Sequence, residues 1–177
     1  MLQSIWVVVR PRGENIGIVR LTVAVVMLAS APLATARAAE NEAQVRAGLA
    51  AWRNSGCSEC HGAFANGEKE RDEAPTGANL RTTRLDDATL AETIRCGRPG
   101  AGMPSFGENA YARGCYGQPA GPPPDGLTPA AVTLSDADIA AIVGYLRARI
   151  VGRGAVTPQE CAFYYGANAA SFCDEPK

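Results

Sequence analysis

The amino-acid sequence predicts an all-α domain, and three observations support this prediction. Apolar residues recur at helical spacing in three segments of the chain. No run of useful length alternates between apolar and polar residues, as a half-buried strand would require. The stretch from 104 to 133 is rich in proline and glycine, which excludes long regular elements there. We therefore expect three to four short helices joined by long Pro/Gly-rich loops.

The first predicted helix runs from about Glu42 to Asn54. Val45, Leu49 and Trp52 are spaced four and three residues apart, so that they share one face of this helix. An apolar stripe of this kind indicates a helix that packs on a core with one side and meets solvent with the other.

The second and third predicted helices carry capping signals. Asp86 is a suitable N-cap for the segment that follows it, and Gly97 is placed to end that helix in a left-handed conformation. Ser135 and Asp138 form a capping-box pattern, with Asp in the usual Glu position. The helix after Ser135 continues to Ile150 with apolar residues at helical spacing, which makes it the best defined of the three.

The N-terminal 38 residues have the layout of a secretory signal peptide. Arginines precede an apolar run from Leu21 to Ala34, and the small residues Ala36 and Ala38 follow. The run is shorter than the ~20 apolar residues of a transmembrane helix, so we predict cleavage near Ala38 and export to the periplasm; an uncleaved membrane anchor is the alternative.

The net charge of the chain excludes one class of function. The whole chain has a net charge of −1, and the predicted signal peptide would remove four arginines and one glutamate, leaving the mature chain near −4. A mildly acidic domain is poorly suited to neutralise phosphates, so nucleic acid is not an expected partner.

The strongest chemical signal is "CSECH", in which Cys57, Cys60 and His61 stand together. C-x-x-C-H is the attachment sequence of c-type haem: two thiols bind the macrocycle as thioethers and the adjacent imidazole reaches the iron. A thioredoxin-like redox pair, a structural zinc site and an ordinary disulfide are alternatives. The first lacks the βαβ pattern, the second lacks a second closely spaced ligand pair, and the third explains neither the histidine nor the export signal.

The second axial ligand can be argued by elimination. His61 is the only histidine of the chain, and Met103 is the only methionine outside the predicted signal peptide. Gly100, Gly102 and Pro104 surround Met103 and indicate a turn-like loop instead of an apolar helix face. His/Met ligation is typical of electron-transfer haem proteins. We therefore predict that His61 and Met103 bind the iron; a gap-filling core methionine is the alternative.

From about Glu42 to Ile150 the sequence resembles a class I, monohaem cytochrome c. The resemblance rests on residues of the family pattern that this chain also has, which are Gly48, Trp52, Cys57, Cys60, His61, Gly62, Met103, Pro104 and Tyr145. It implies the cytochrome c fold, with the helices wrapped round one covalently attached haem c. It also implies that the aromatic at 145, in the C-terminal helix, packs across the N-terminal helix near Gly48.

Two further site residues follow from the same resemblance. In many relatives the carbonyl of a proline after the haem motif accepts the hydrogen bond of the ligand histidine. This chain has Ala78 at that position. A carbonyl needs no proline, so Ala78 is the expected acceptor for His61. Leu80 is expected to pack on a haem face, with ordinary core burial as the alternative.

The four remaining cysteines allow three pairings. We expect Cys96 to pair with Cys115, which encloses Met103, and Cys161 to pair with Cys173, which closes a short aromatic tail. The expected domain organisation is then a signal peptide over 1–38, a cytochrome domain over 39–152 and a disulfide-stapled extension over 153–177. The first disulfide is also expected to keep Met103 near the iron; general stapling of a loop-rich domain is the alternative.

The expected function is single-electron transfer in the periplasm and not catalysis. A monomer would carry electrons between a dehydrogenase or respiratory complex and a terminal acceptor, with redox proteins as donor and acceptor and transient contact with a membrane complex. A haem subunit fixed in a larger dehydrogenase is one alternative. A peroxidase or ligand-binding haem protein is the other, and it requires that Met103 does not ligate the iron.

Overall fold

A computed structural model describes residues 31–173, with side chains from residue 37. The predicted signal peptide lies mostly outside these residues and stays a prediction. The helices are α1 (Ala31–Asn54), α2 (Cys57–His61), α3 (Asp87–Cys96), α4 (Asp136–Arg149), α5 (Pro158–Tyr165) and α6 (Ala169–Phe172), and the strands are β1 (Ser105–Gly107) and β2 (Pro129–Leu134). Three 3₁₀ helices accompany them, over Leu80–Thr82, Ala110–Arg113 and Gly166–Asn168.

The fold is organised around the crossing of α1 and α4. Val45, Leu49 and Trp52 are buried, as their spacing predicted. At the crossing, a Cβ on Gly48 would clash with the carbonyl of Ala141 and lie 2.8 Å from the Cβ of Tyr145. Only a glycine lets the two backbones approach so closely, and the aromatic at 145 packs beside it as the resemblance implied.

The helix ends agree with the sequence except at the start of α1. Asp86 accepts a hydrogen bond from the Thr89 amide, and Ser135 with Asp138 forms the capping box of α4. The prediction began the first helix near Glu42, whereas α1 begins at Ala31. The alanine-rich residues that precede position 42 have high helix propensity, although they carry no amphipathic pattern from which a helix could be predicted.

The expectation of an all-α domain is wrong in one place. Strands β1 and β2 form a small parallel sheet, in which Ser105 pairs with Pro129 and Gly107 pairs with Leu134 across an irregular register. Strand β1 has three residues and β2 is mostly exposed, so neither contains the alternation from which a strand is predicted. The pairing joins the two ends of the Pro/Gly-rich stretch.

The C-terminal segment packs on the helical core. Tyr164 is buried, and its ring lies 5.7 Å from that of Phe64, while Phe163 stacks on Tyr145 with centroids 6.5 Å apart. Cys161 and Cys173 are disulfide-bonded, as predicted. These contacts bring α5 against the region that follows the C-x-x-C-H motif.

None of the helices in residues 31–173 combines the length and the apolar character that a membrane crossing needs. The same residues contain no cluster of three or more His, Cys, Asp and Glu side chains placed to hold a metal ion.

Candidate functional site

The C-x-x-C-H motif forms the single-turn helix α2, bounded by glycines. Gly56 and Gly62 have φ of 71° and 81°, a left-handed region that glycine adopts without strain. A Cβ on Gly62 would also clash with the carbonyl of Glu68, so only a residue without a side chain fits at the position that follows the motif. Cys57 and Cys60, both in this short helix, are free thiols. The local sequence therefore presents two thiols and one imidazole on a compact turn.

His61 is oriented by the backbone of the loop that follows. Its Nδ1 lies 2.8 Å from the carbonyl oxygen of Ala78, the predicted acceptor. A carbonyl only accepts, so Nδ1 carries the proton and Nε2 keeps its lone pair for a metal. The amide of Gly77 donates to the Cys60 carbonyl at 2.8 Å, and a Cβ on Gly77 would lie 2.7 Å from Nδ1. The loop thus fits closely around the imidazole.

Burial keeps these three side chains in their neutral forms. It lowers the pKa of His61, against a smaller opposing effect of the Ala78 hydrogen bond, so the imidazole is unprotonated at neutral pH. Burial raises the pKa of Cys57 to about 12, and burial with the nearby Glu59 carboxylate raises the pKa of Cys60. A thiol-disulfide oxidoreductase instead depends on a thiol of lowered pKa.

Met103 lies in a tight loop after α3. The amide of Arg98 donates to the Met103 carbonyl at 2.9 Å, and Ala101 donates to the Arg98 carbonyl at 3.0 Å. Gly100 and Gly102 have φ of 75° and 74°, which this turn requires. Met103 is half-buried and packs against the main core cluster. The loop is therefore a defined turn, as the glycines predicted.

A disulfide and two tyrosines hold the base of this loop. Cys96 and Cys115 are bonded, as predicted, and both are buried. The hydroxyl of Tyr111 donates to the Cys96 carbonyl at 3.1 Å, and the hydroxyl of Tyr116 donates to the carbonyl of Gly97. Because Cys96 and Cys115 are in a disulfide, they are not available as thiolate ligands for a zinc site built on the C-x-x-C pair.

Residues 43–114 match the model of a protein family described as cytochrome c oxidase, cbb3-type, subunit III. This segment contains the C-x-x-C-H motif, its supporting loop and the Met103 turn. It is a c-type cytochrome domain. The match covers less than half of the chain and leaves out α4, α5 and α6. Searches of the curated proteins and of the solved structures give no significant match.

A cytochrome domain binds haem, and the side chains of this site fit that group. The free thiols of Cys57 and Cys60, the unprotonated Nε2 of His61 and the thioether of Met103 are the donor types that a c-type haem uses. A cavity of about 320 Å³ lies between the motif and the Met103 loop, and its lining includes Cys60, Pro75, Gly102 and Pro104. One attachment cysteine, Cys60, and the two sequence neighbours of Met103 thus border one cavity.

Leu80 is brought into the core near this site. It is half-buried, packs against the main cluster and donates its amide to the Ala65 carbonyl at 2.8 Å. This placement is compatible with both readings of the sequence, a haem-facing residue and an ordinary core residue.

Sequence reasoning missed Arg81. Its guanidinium is buried and forms an ion pair with Glu160 at 3.1 Å. Nothing around Arg81 in the sequence distinguishes it from an exposed arginine. The sequence around its partner Glu160 does contain a helix signal, because Thr157 and Glu160 form a capping box with Pro158 at the first helical position. That pattern predicts α5 but not the residue that its glutamate binds.

Proposed function

We propose that this cytochrome is a periplasmic single-electron carrier with one covalently attached haem c. The observation that carries the proposal is the division of the six cysteines. Cys96, Cys115, Cys161 and Cys173 are paired with one another, while Cys57 and Cys60 remain free beside a histidine whose Nε2 is available. Thioether attachment through Cys57 and Cys60 uses the two thiols that no disulfide occupies.

The residues of the site have distinct parts in this function. The haem, when bound, supplies a one-electron iron couple. His61 binds through Nε2 and is kept in that orientation by the Ala78 carbonyl. Met103 supplies a soft, neutral ligand that favours the reduced state, and Leu80 excludes water from a haem face. With His61 and Met103 both bound to the iron, no coordination position would remain for a substrate, and this supports electron transfer over catalysis.

The domain organisation and partners follow from this role. The carrier domain spans 39–152 and the disulfide-stapled extension 153–177, with the signal peptide, residues 1–38, cleaved near Ala38 after export. As a monomer, the protein would accept electrons from a dehydrogenase or respiratory complex and deliver them to a terminal acceptor. Each partner is a redox protein that contacts it transiently, including at a membrane complex.

Mass spectrometry of the protein expressed with haem-attachment machinery tests the proposal. We expect the intact mass to exceed that of the polypeptide by one haem and the added mass to vanish in Cys57→Ala/Cys60→Ala. The control, Cys161→Ala/Cys173→Ala, removes the same number of thiols from the extension and should retain the haem. A wild type without added mass, or a Cys57→Ala/Cys60→Ala variant that keeps it, contradicts covalent attachment at these residues.

A second candidate is a haem subunit fixed in a larger oxidoreductase. The matched family is described as a subunit of an oxidase, which favours this reading. Size-exclusion chromatography of detergent extracts from the native source separates the two. A free carrier elutes near the mass of its own chain, at most 18.5 kDa plus haem, whereas a fixed subunit elutes with other chains.

A further inference from the structure

Arg81 is the most heavily hydrogen-bonded side chain that the structure describes, and it lies in the turn after Ala78. Its side chain is 4% exposed. Its Nε donates to the Gly154 carbonyl at 2.7 Å, and its Nη2 donates to the Arg153 carbonyl at 3.0 Å. Both carboxylate oxygens of Glu160 lie 3.1 Å from the same Nη2. The C-terminal extension therefore folds around one arginine of the cytochrome domain.

The backbone of the same turn is fixed on two further sides. The amide of Arg81 donates to Asn79 Oδ1 at 2.9 Å, which caps the short 3₁₀ helix over Leu80–Thr82. The carbonyl of Arg81 accepts from the Gly152 amide at 2.8 Å. The extension thus holds the side chain of residue 81, and Asn79 and Gly152, the residue just before the extension, hold its backbone. Residue 81 is three residues along the chain from the acceptor for His61.

On this basis, and resting on the proposed function, we propose that Arg81 and Glu160 are positioning residues for the haem ligand. By anchoring the turn, they hold the Ala78 carbonyl at hydrogen-bond distance from His61 Nδ1. A strong hydrogen bond at Nδ1 makes the imidazole a better electron donor and so stabilises oxidised iron. The C-terminal extension, through this ion pair, therefore lowers the reduction potential of the haem.

A purely structural role makes a different prediction. If Arg81 only fastens the extension, weakening the ion pair lowers thermal stability but leaves the loop around His61 and the potential unchanged. The amide of Gly77, which donates to the Cys60 carbonyl at 2.8 Å, reports directly on that loop, because its exchange with solvent requires the loop to move. The reduction potential of the haem and the solvent exchange of the Gly77 amide together distinguish a residue that positions the His61 loop from one that only fastens the extension.

The test uses conservative variants in the haem-loaded, full-length protein. Glu160→Gln removes the charge but keeps an oxygen that can accept from Arg81 and from the Thr157 amide, which now donates to Glu160 at 2.9 Å. Arg81→Lys keeps the charge and loses the fork geometry. Arg113→Lys is the matched control, because Arg113 forms a two-point ion pair with Asp136 at 3.0 and 2.9 Å that is exposed and belongs to another part of the fold.

We expect Glu160→Gln and Arg81→Lys to raise the potential and to accelerate Gly77 amide exchange on the order of tenfold, the factor for loss of one hydrogen bond. Arg113→Lys should change neither quantity. Wild-type potential and exchange in both variants, even with a lowered melting temperature, would overturn the proposal. A wild type that lacks haem contradicts the proposed function instead. In that folded protein, exchange of the Gly77 amide still measures whether Arg81 and Glu160 hold the loop in place.

Discussion

The side of the site that carries His61 and the side that carries Met103 are held by different kinds of interaction. The turn that follows the Ala78 acceptor is held by contacts between residues far apart in sequence, which include the buried pair of Arg81 and Glu160. The loop of Met103 depends on contacts close in sequence, its glycine turns and the disulfide between Cys96 and Cys115. One side relies on tertiary burial and the other on local covalent closure.

This difference predicts different failures on the two sides. The His61 side is expected to loosen when the extension separates from the core, because the Gly154, Arg153 and Glu160 acceptors of the Arg81 side chain lie in that extension. The Met103 side can open while the core stays folded, because the loop meets the core only partly. Each of the following substitutions either destabilises one side selectively or affects both sides equally. They are ordered from the largest to the smallest expected loss of stability.

The largest effect is expected for Arg81→Leu, which breaks the His61 side. It leaves Glu160 largely buried without its cation, and loss of one partner of a buried pair costs about 3–5 kcal/mol. Chemical denaturation measures the free energy of unfolding. Arg113→Leu, which breaks an exposed pair, is the control and should stay near the wild type. Equal stabilities of the two variants would contradict a special role for the buried pair.

Removal of the disulfide by Cys96→Ala/Cys115→Ala breaks the Met103 side. Opening a loop of this size lowers stability by roughly 3 kcal/mol on the chain-entropy estimate. The methionine-iron absorption band and the reduction potential should both change, because the loop that carries Met103 loses its closure. Cys161→Ala/Cys173→Ala should lose similar stability and keep the band. An unchanged band and potential in Cys96→Ala/Cys115→Ala would show that the disulfide stabilises the domain in general and does not keep Met103 near the iron.

Gly77→Ala tests how closely the loop fits the imidazole. The added Cβ would lie 2.7 Å from His61 Nδ1, so either the ring or the loop must move, at a cost of about 1–3 kcal/mol. The potential should shift while the methionine-iron band remains. Gly121→Ala is the control, because its Cβ meets only one atom, at 3.9 Å. An unaltered potential in Gly77→Ala would argue against tight packing on this side.

The smallest effect is expected at the capping box of α4, which should affect both sides equally. The hydrogen bonds from Ser135 lower the pKa of Asp138, so this stabilisation is complete above the unfolded value near 3.9 and is lost as pH falls through the lower folded value. Asp138→Asn should cost about 1 kcal/mol or less at neutral pH, with a shallower fall in melting temperature under acid. If the melting temperatures of the variant and the wild type fall in parallel as the pH is lowered, the Asp138 carboxylate does not contribute this stabilisation.

The features that the sequence predicted are those set by short-range patterns. The caps at Asp86 and Ser135 lie within one helical turn of their partners, and the Cys57–His61 motif is contiguous. The acceptor at Ala78 was predicted from the resemblance to cytochromes c, and the disulfide of Cys96 was chosen among the three pairings that four cysteines allow.

The features that the sequence did not predict depend on distant residues. Strands β1 and β2 are too short for an alternating pattern, and they pair because the loop between them returns to the same place. The burial of Arg81 depends on acceptors more than 70 residues away. No local pattern distinguishes an arginine with such acceptors from one in solvent, so this part of the site needed the structure.

The central claim is that His61 and Met103 bind the iron of a haem attached at Cys57 and Cys60. The visible absorption spectrum of wild type and Met103→Ala, oxidised and reduced, tests it most directly. The claim predicts a c-type spectrum in both proteins, with a weak band at the red end of the oxidised wild type, due to methionine sulfur on ferric iron, that disappears in the variant. A wild type with haem but without that band, or a variant that keeps it, would contradict methionine ligation by Met103.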